Sequence, residues 1–367
     1  MARLEDVCEI LDSRRIPITA SDRIAGPYPY YGANGIQDYV ADYIFDDELI
    51  LLAEDGGNFD SKDKPIAYRV SGKCWVNNHA HVLKPKMGYD VDYVCYSLMY
   101  YDVSGLVNGA TRQKLTQADM RQMTIPERAF EEQQHISSVL GEIDDLIFLR
   151  KQQLAKLDEL VKARFVEMFG EYPSNQKGWT ICTIRDIVED VRYGTSRPAV
   201  AGGAYPYLRM NNITYSGELD LSEVKQIDIP EKELPKCTVR YGDVLFNRTN
   251  SKELVGKTCV YNRDDMMVLA GFIIRVRVNE RILPEFLSSF LNADFSKRML
   301  LGMCKAAIGQ ANINAQELQN IELYLPPIAL QQEFVDFKAK SSRQKLTIQQ
   351  SLDKLEVLKK SLMQEYF

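Results

Sequence analysis

The chain has 367 residues, 45% hydrophobic and 26% charged, with a formal net charge of −6 and a pI near 5.4; this suits an ordinary globular protein with room for two cores. The acidic balance counts against tight DNA binding by the chain alone, because phosphate neutralisation supplies most of such affinity, but it leaves room for a local basic face or for positive surface lent by a partner. Seven cysteines without C-x-x-C spacing point to a reduced compartment, with neither disulfide nor zinc, and the charged start MARLEDVCEI and the lack of any long apolar run exclude a signal peptide and a membrane span, so a cytoplasmic location is expected.

Residues 1–125 read as a first mixed α/β domain. Runs such as YIFDDELILLA and HAHVL are punctuated by Gly, Asn and Asp and lead to a helical stretch, VDYVCYSLMYYD. The polar loops hold Ser13, Arg14 and Arg15; Tyr30, Tyr31 and Asn34; Gly56, Gly57 and Asn58; Asn77, Asn78 and His79; and Thr111, Arg112, Gln113 and Lys114. Arg can pair bidentately with guanine and Asn or Gln with adenine, while Ser, Thr and Lys can hold phosphate. His79 and His81 alternate along a strand and so share a face, as a metal pair would. No third ligand stands at a recognisable spacing, and a strand-edge pair facing DNA is preferred over a metal site.

A long helix is predicted over Glu131–Phe169, within a spacer segment 126–170 entered through Pro126. Ile136, Leu140, Ile143, Ile147, Leu154, Leu157, Val161 and Met168 follow a four-three spacing that makes a heptad seam for packing on another helix or on a partner subunit. Gly170 and Pro173 begin a linker over 171–178. A second mixed α/β domain is expected over 179–325. Its strands are VLFNRT, TCVYN and GFIIRVRV, and its loops carry Thr195, Ser196 and Arg197; Arg209 and Asn211; Arg248, Asn250 and Lys252; and Gln310 and Asn312. A second long helix over 326–367 has Phe334, Ile348, Leu352, Leu355 and Leu362 on its seam, diluted by Lys338, Ser341, Lys345 and Lys359.

No catalytic centre emerges. Gly256-Lys257-Thr258 ends like a phosphate-binding loop, but Ser251 stands where that loop needs glycine, and Gly72-Lys73 is the same pair in the first domain; a turn between strands is the expected role. The Asn/Asp-Pro-Pro-aromatic motif of amino-methyltransferases and a Gly-rich cofactor loop are both missing from the sequence. No Ser/His/Asp arrangement can be assembled.

The two long helices are copies of each other. A shift of 198 lays Gln133 and Gln134 on Gln331 and Gln332, Leu154, Lys156 and Leu157 on Leu352, Lys354 and Leu355, and Phe169 on Phe367. Tyr28-Pro29-Tyr30 also returns as Tyr205-Pro206-Tyr207. The chain is thus a tandem duplication, two like helices carrying two divergent modules.

With Pro126, Glu132-Gln133-Gln134, the Lys-Leu pairs, Gly194-Thr195-Ser196-Arg197-Pro198 and Tyr205-Pro206-Tyr207 in view, the whole chain resembles the DNA-specificity subunit of type I restriction-modification enzymes. The resemblance implies two α/β target recognition domains separated by two long antiparallel conserved helices in a pseudo-twofold repeat. Each domain would read one half of a bipartite, asymmetric target in double-stranded DNA. The helices would set the spacing and dock two methyltransferase subunits, with restriction subunits joining. The chain itself would be non-catalytic and hold no cofactor or metal, S-adenosylmethionine and ATP with magnesium belonging to the partner subunits. The first module departs from the pattern, with Asp12-Ser13-Arg14-Arg15-Ile16-Pro17 in place of the Gly-Thr-Ser-Arg loop. The rival readings are a coiled-coil scaffold whose modules bind protein, and an enzyme whose site is built from unrecognised residues.

Overall fold

The computed structural model describes residues 1–109, 113–251, 254–304 and 311–367, which fall into two compact units. The first comprises Met1–Lys151 with Gln350–Phe367, the second Gln152–Gln349.

The first unit is built on β1 (Cys8–Ile10), β2 (Ala25–Gly32), β3 (Gly35–Val40), β4 (Phe45–Ala53), β5 (Ala67–Val76) and β6 (Ala80–Pro85), followed by α1 (Val91–Met99) and α2 (Gln117–Gln122). The strands form one sheet in the order β1-β6-β4-β5-β2-β3, antiparallel except where β2 lies parallel to β5. β4 is buried on both faces from Leu49 to Ala53, which is why its sequence is a continuous apolar run and not an alternating one. One face packs on α1, through Tyr93, Val94 and Leu98, and on Ile136 and Leu140 of the first long helix, α3 (Phe130–Phe169). The helix begins at Phe130, one residue before the expected Glu131, and not at Pro126 where the segment is entered. The Pro126 carbonyl is taken by the Tyr93 hydroxyl (2.8 Å) and the Arg128 carbonyl by the Gln133 amide (2.9 Å), so neither opens the helical ladder.

The second unit repeats the plan with β7 (Val188–Tyr193), β8 (Tyr205–Leu208), β9 (Val244–Asn247), β10 (Thr258–Val260), β11 (Ile273–Val278), α4 (Pro284–Asn292), α5 (Asp294–Met303), α6 (Ala315–Gln319) and the second long helix, α7 (Ile328–Tyr366). Its sheet order is β7-β11-β9-β10, which reproduces β1-β6-β4-β5 with every pairing again antiparallel. Registers match as well: Ile50 lies opposite Leu83 as Val244 lies opposite Val276. The core is aromatic, with Phe165 and Phe169 of α3 in ring contact with each other and each with Phe286 of α4 and Phe334 of α7, at 4.9–5.7 Å between centroids.

Within each unit the long helices run antiparallel. In the first, Asp144 pairs with Lys359 (2.6 Å) and Lys151 with Glu356 (3.0 Å); in the second, Asp158 pairs with Lys345 (2.8 Å) and Phe165 packs on Phe334. The heptad positions face inward on both helices, with Ile143 and Leu352 buried and Ile147, Leu154, Leu157, Val161, Ile348, Leu355 and Leu362 half-buried. Leu146, Phe148, Leu149, Val357 and Leu358 in the first unit, and Leu160 and Leu346 in the second, are exposed apolar residues of the long helices.

Gly72-Lys73 does not form the expected turn. Gly72 lies inside β5 opposite Asp47, at φ 78°, and Gly256 has the same φ of 78°. The left-handed backbone favours glycine at Gly256, where a Cβ would also press on the Leu300 Cδ1 atom at 2.6 Å. Lys257 is buried and donates to the Met210 carbonyl (3.1 Å). Among the described residues no helix is long and apolar enough to cross a membrane.

Candidate nucleic-acid interface

The matched registers place the loops of the two modules in correspondence. Ile10 and Val191, both opposite the matched pair Leu83 and Val276, set Asp12 level with Tyr193. Glu54, one residue past β4, matches Arg248, one past β9, and His79 before β6 matches Phe272 before β11. The backbone confirms it: Glu54 N–H donates to the His79 carbonyl as Arg248 N–H does to that of Phe272, both at 2.9 Å. Leu115 N–H donates to Glu54 (2.8 Å) as Ile313 N–H does to Arg248 (2.9 Å), which makes Lys114 and Asn312 equivalent.

In the first unit this place holds a charged network. Arg15 donates to the Glu54 carboxylate (2.6 Å) and to the Ala80 carbonyl (2.7 Å), and Lys114 pairs with the other Glu54 oxygen (2.9 Å). His81, 1% exposed, lies between the Asp12 carboxylate (2.7 Å from Nδ1) and the Leu115 carbonyl (3.0 Å from Nε2), while Gln117 also donates to Asp12 (2.9 Å). Burial opposes ionisation of both acids, yet hydrogen bonds from His81, Gln117 and Val82 to Asp12, and from Arg15 and Lys114 to Glu54, outweigh it and hold both carboxyls below their ordinary range. Asp12, Glu54 and His81 have the donor types of a metal site, but the Arg15 guanidinium already bonds Glu54 and approaches Asp12 to 3.5 Å. A cation is the partner these acids have found within the chain.

The second unit fills the same place with neutral and cationic groups. The Arg248 guanidinium lies over the Tyr193 ring, 4.9 Å from its centroid, and its Nε has no hydrogen-bond partner. Ala315 N–H donates to the Tyr193 hydroxyl (2.7 Å), and the Thr249 hydroxyl to Asn312 Oδ1 (3.3 Å). Phe272 is 49% exposed beside them.

The remaining candidates scatter. Tyr30 is buried, and its hydroxyl accepts from Ile18 N–H (3.0 Å); Tyr207 is its counterpart, donating to the Thr195 and Arg197 carbonyls (3.2 and 3.0 Å). The repeated Tyr-Pro-Tyr thus ties down the preceding loop instead of presenting a ring to a ligand. Arg14 is exposed, stacks on Phe45 (4.7 Å) and donates to the Ile44 carbonyl, away from Lys114. Asn34 joins its turn to the Gly56 carbonyl (2.9 Å), and Asn58 bonds the Pro65 carbonyl (3.3 Å). Asn78 is exposed, and His79 bonds Asp55 (2.8 Å). Thr195 Oγ1 accepts from Arg197 N–H (3.3 Å), Ser196 is exposed, and Arg197 pairs with Glu233 through two bonds (2.8 and 3.2 Å). Arg209 is half-buried, Asn211 exposed, and Asn250 accepts from Ser251 N–H (2.9 Å). Arg112, Lys252 and Gln310 lie outside the described residues. Asp12, Glu54, Tyr193 and Phe272 were not among the sequence candidates, since only strand register brings them to the site.

A family profile described as type I restriction modification DNA specificity domain matches residues 1–159 and 176–357. A putative type I restriction enzyme specificity subunit of Haemophilus influenzae is 36% identical over 143 residues, 39% of this chain and 37% of that protein. The EcoKI specificity subunit of Escherichia coli K12 is 23% identical over 308 residues, 78% of this chain and 66% of that protein. The chain thus spans between about a third and about two thirds of the length of these relatives. The solved S subunit of a type I restriction-modification system from M. genitalium shares the fold at TM-score 0.61 and 13% identity, over 100% of this chain and 95% of that one.

Proposed function

The chain belongs to the type I restriction-modification DNA-specificity family, and we propose that it is the DNA-recognition subunit of such a complex, each unit reading one half of a bipartite, asymmetric target. The observation that carries this reading is the repeated sheet, β1-β6-β4-β5 and β7-β11-β9-β10, which holds equivalent loops in the two units with different side chains. A protein that must read two unlike half-sites needs that combination. The Arg, Lys, Asn and exposed aromatic groups at those loops suit base edges and phosphates. The net charge of −6 makes positive surface from a partner part of the reading.

The long helices act as spacer and as docking surface for two methyltransferase subunits, with restriction subunits joining the assembly. The exposed Leu146, Phe148, Leu149, Val357 and Leu358 of the first unit, and Leu160 and Leu346 of the second, supply apolar area for it. The chain works in the cytoplasm and catalyses neither methyl transfer nor cleavage; S-adenosylmethionine, ATP and magnesium act on the partner subunits. A pure protein scaffold is the less favoured reading, since the family match covers both units. The deciding experiment measures methyl transfer to a library of duplexes by the chain alone, by the modification subunits alone and by both together. Modification of a bipartite sequence only by the combination is expected; transfer by the highly purified chain alone would reject the non-catalytic role.

A further inference from the structure

The backbone around the matched loops is held by the same hydrogen bonds in both units, whereas the side chains set on it change class. Glu54 gives way to Arg248, His79 to Phe272 and Lys114 to Asn312, while the neighbouring Leu115 and Ile313 stay buried and apolar. Residues that serve the frame keep their identity between copies: Gln133 and Gln331, and the hydroxyls of Tyr30 and Tyr207. A purely structural role gives no need to exchange the chemistry of Lys114 and Asn312, which are exposed in both copies, or of His79 and Phe272, which are half-buried and exposed.

Resting on the recognition-subunit reading, we propose that Lys114 with His79 and Asn312 with Phe272 are the specificity-determining side chains of the two half-sites, each pair seated at the same place in its own copy of the sheet. Lys114 and Asn312 are exposed, at equivalent points just before α2 and α6. Lys114 offers donors only, the match for guanine O6 and N7; Asn312 carries a donor and an acceptor, the match for adenine N6 and N7. The exposed Phe272 ring suits a thymine methyl or a base face, contacts that the polar His79 ring would not make in the same way. Glu54 in one unit and Thr249 in the other are positioning residues: Glu54 holds the Lys114 ammonium at 2.9 Å, and the Thr249 hydroxyl holds Asn312 at 3.3 Å.

The test uses the full chain assembled with its modification subunits on a duplex library randomised across the target, read by sequencing the methylated products. Lys114→Ala and His79→Ala are expected to relax base preference about tenfold or more at positions in one half-site and to leave the other intact; Asn312→Ala and Phe272→Ala are expected to do the converse. The untouched half-site in each variant reports that the complex is folded and assembled, and Asn312→Asp, which keeps the side chain's size, replaces the alanine should that variant fail to assemble. A wild-type complex that modifies a bipartite sequence, with variants whose base preference is unchanged or reduced evenly over all sequences, overturns the assignment of these residues alone. A wild-type complex that modifies no bipartite sequence overturns the recognition-subunit reading and this assignment with it.

Discussion

Gln133 and Gln331 show how one side chain can fix a helix to a module. Each is buried; each accepts from a backbone N–H that starts a helix (Asp90 and Leu283, both 2.9 Å); and each donates to the carbonyl five residues before itself (2.9 Å in both) and to a second carbonyl (3.4 and 3.3 Å). Gln133→Leu fills the same space but strands those groups, and leaving a buried donor or acceptor unpaired costs about 1–3 kcal/mol. We expect that loss in the first unit, seen as faster hydrogen exchange in α1 with the second unit unaffected; equal protection in both proteins would show the bonds to be dispensable. The Asp12 and Glu54 network predicts a pH response. Both carboxyls are held low in the folded unit by the bonds from His81, Gln117, Arg15 and Lys114, so their contribution is complete above the unfolded carboxylate range near pH 4 and is lost as pH falls through the lower folded values. Amide protection in the first unit, corrected for the intrinsic slowing of exchange in acid, is expected to fall less steeply from pH 6 to pH 3 in Glu54→Gln than in the wild type; parallel curves would remove this pair from the response.

Between the helices, the copies part where Leu140 corresponds to Lys338. Leu140 is fully buried in the first unit, whereas the Lys338 ammonium donates to the Ser289 hydroxyl (3.1 Å) and has its pKa lowered, mainly by burial. Between the ordinary lysine range and that lowered value the unfolded chain takes up a proton that the folded unit resists, so the gain from Lys338→Met should grow as pH falls through this window and level off below it at about 1–3 kcal/mol. Thermal unfolding at two pH values decides it, and a destabilised variant would mean that the ammonium has a role the seam needs. Lys345 and Lys359 behave otherwise, pairing with Asp158 and Asp144, and their replacement should bring no such gain. This difference was not legible in the sequence, where all three lysines merely dilute a heptad. Helices show themselves through side-chain identity at fixed spacing, so the Gln pairs, the Lys-Leu pairs and the terminal Phe exposed the duplication at once. Sheets are matched by backbone register, and Ile50 and Val244 share only an apolar character. The equivalence of Glu54 with Arg248 was therefore hidden, although the polar loops around them were visible.

The two long helices also fix how the whole chain can be altered. α3 is a continuous 40-residue helix, about 60 Å at roughly 1.5 Å per residue, and the division between units falls within it after Lys151, as it falls within α7 after Gln349. Lengthening one helix alone would break the register of Asp144 with Lys359 or of Asp158 with Lys345, and with it the packing of that unit. Inserting one heptad into each, after Lys151 and after Gln349, preserves both seams, because seven residues come within about 20° of two full turns. The paired insertion adds about 10 Å of helix, close to three base pairs at roughly 3.4 Å each. If the helices set the spacing between the half-sites, the doubly lengthened chain assembled with its modification subunits should methylate the same two half-sites with about three more unread base pairs between them, while either single insertion should assemble poorly. Methylation of the original spacing by the doubly lengthened complex would show that the distance is set elsewhere, in the partner subunits or in the DNA.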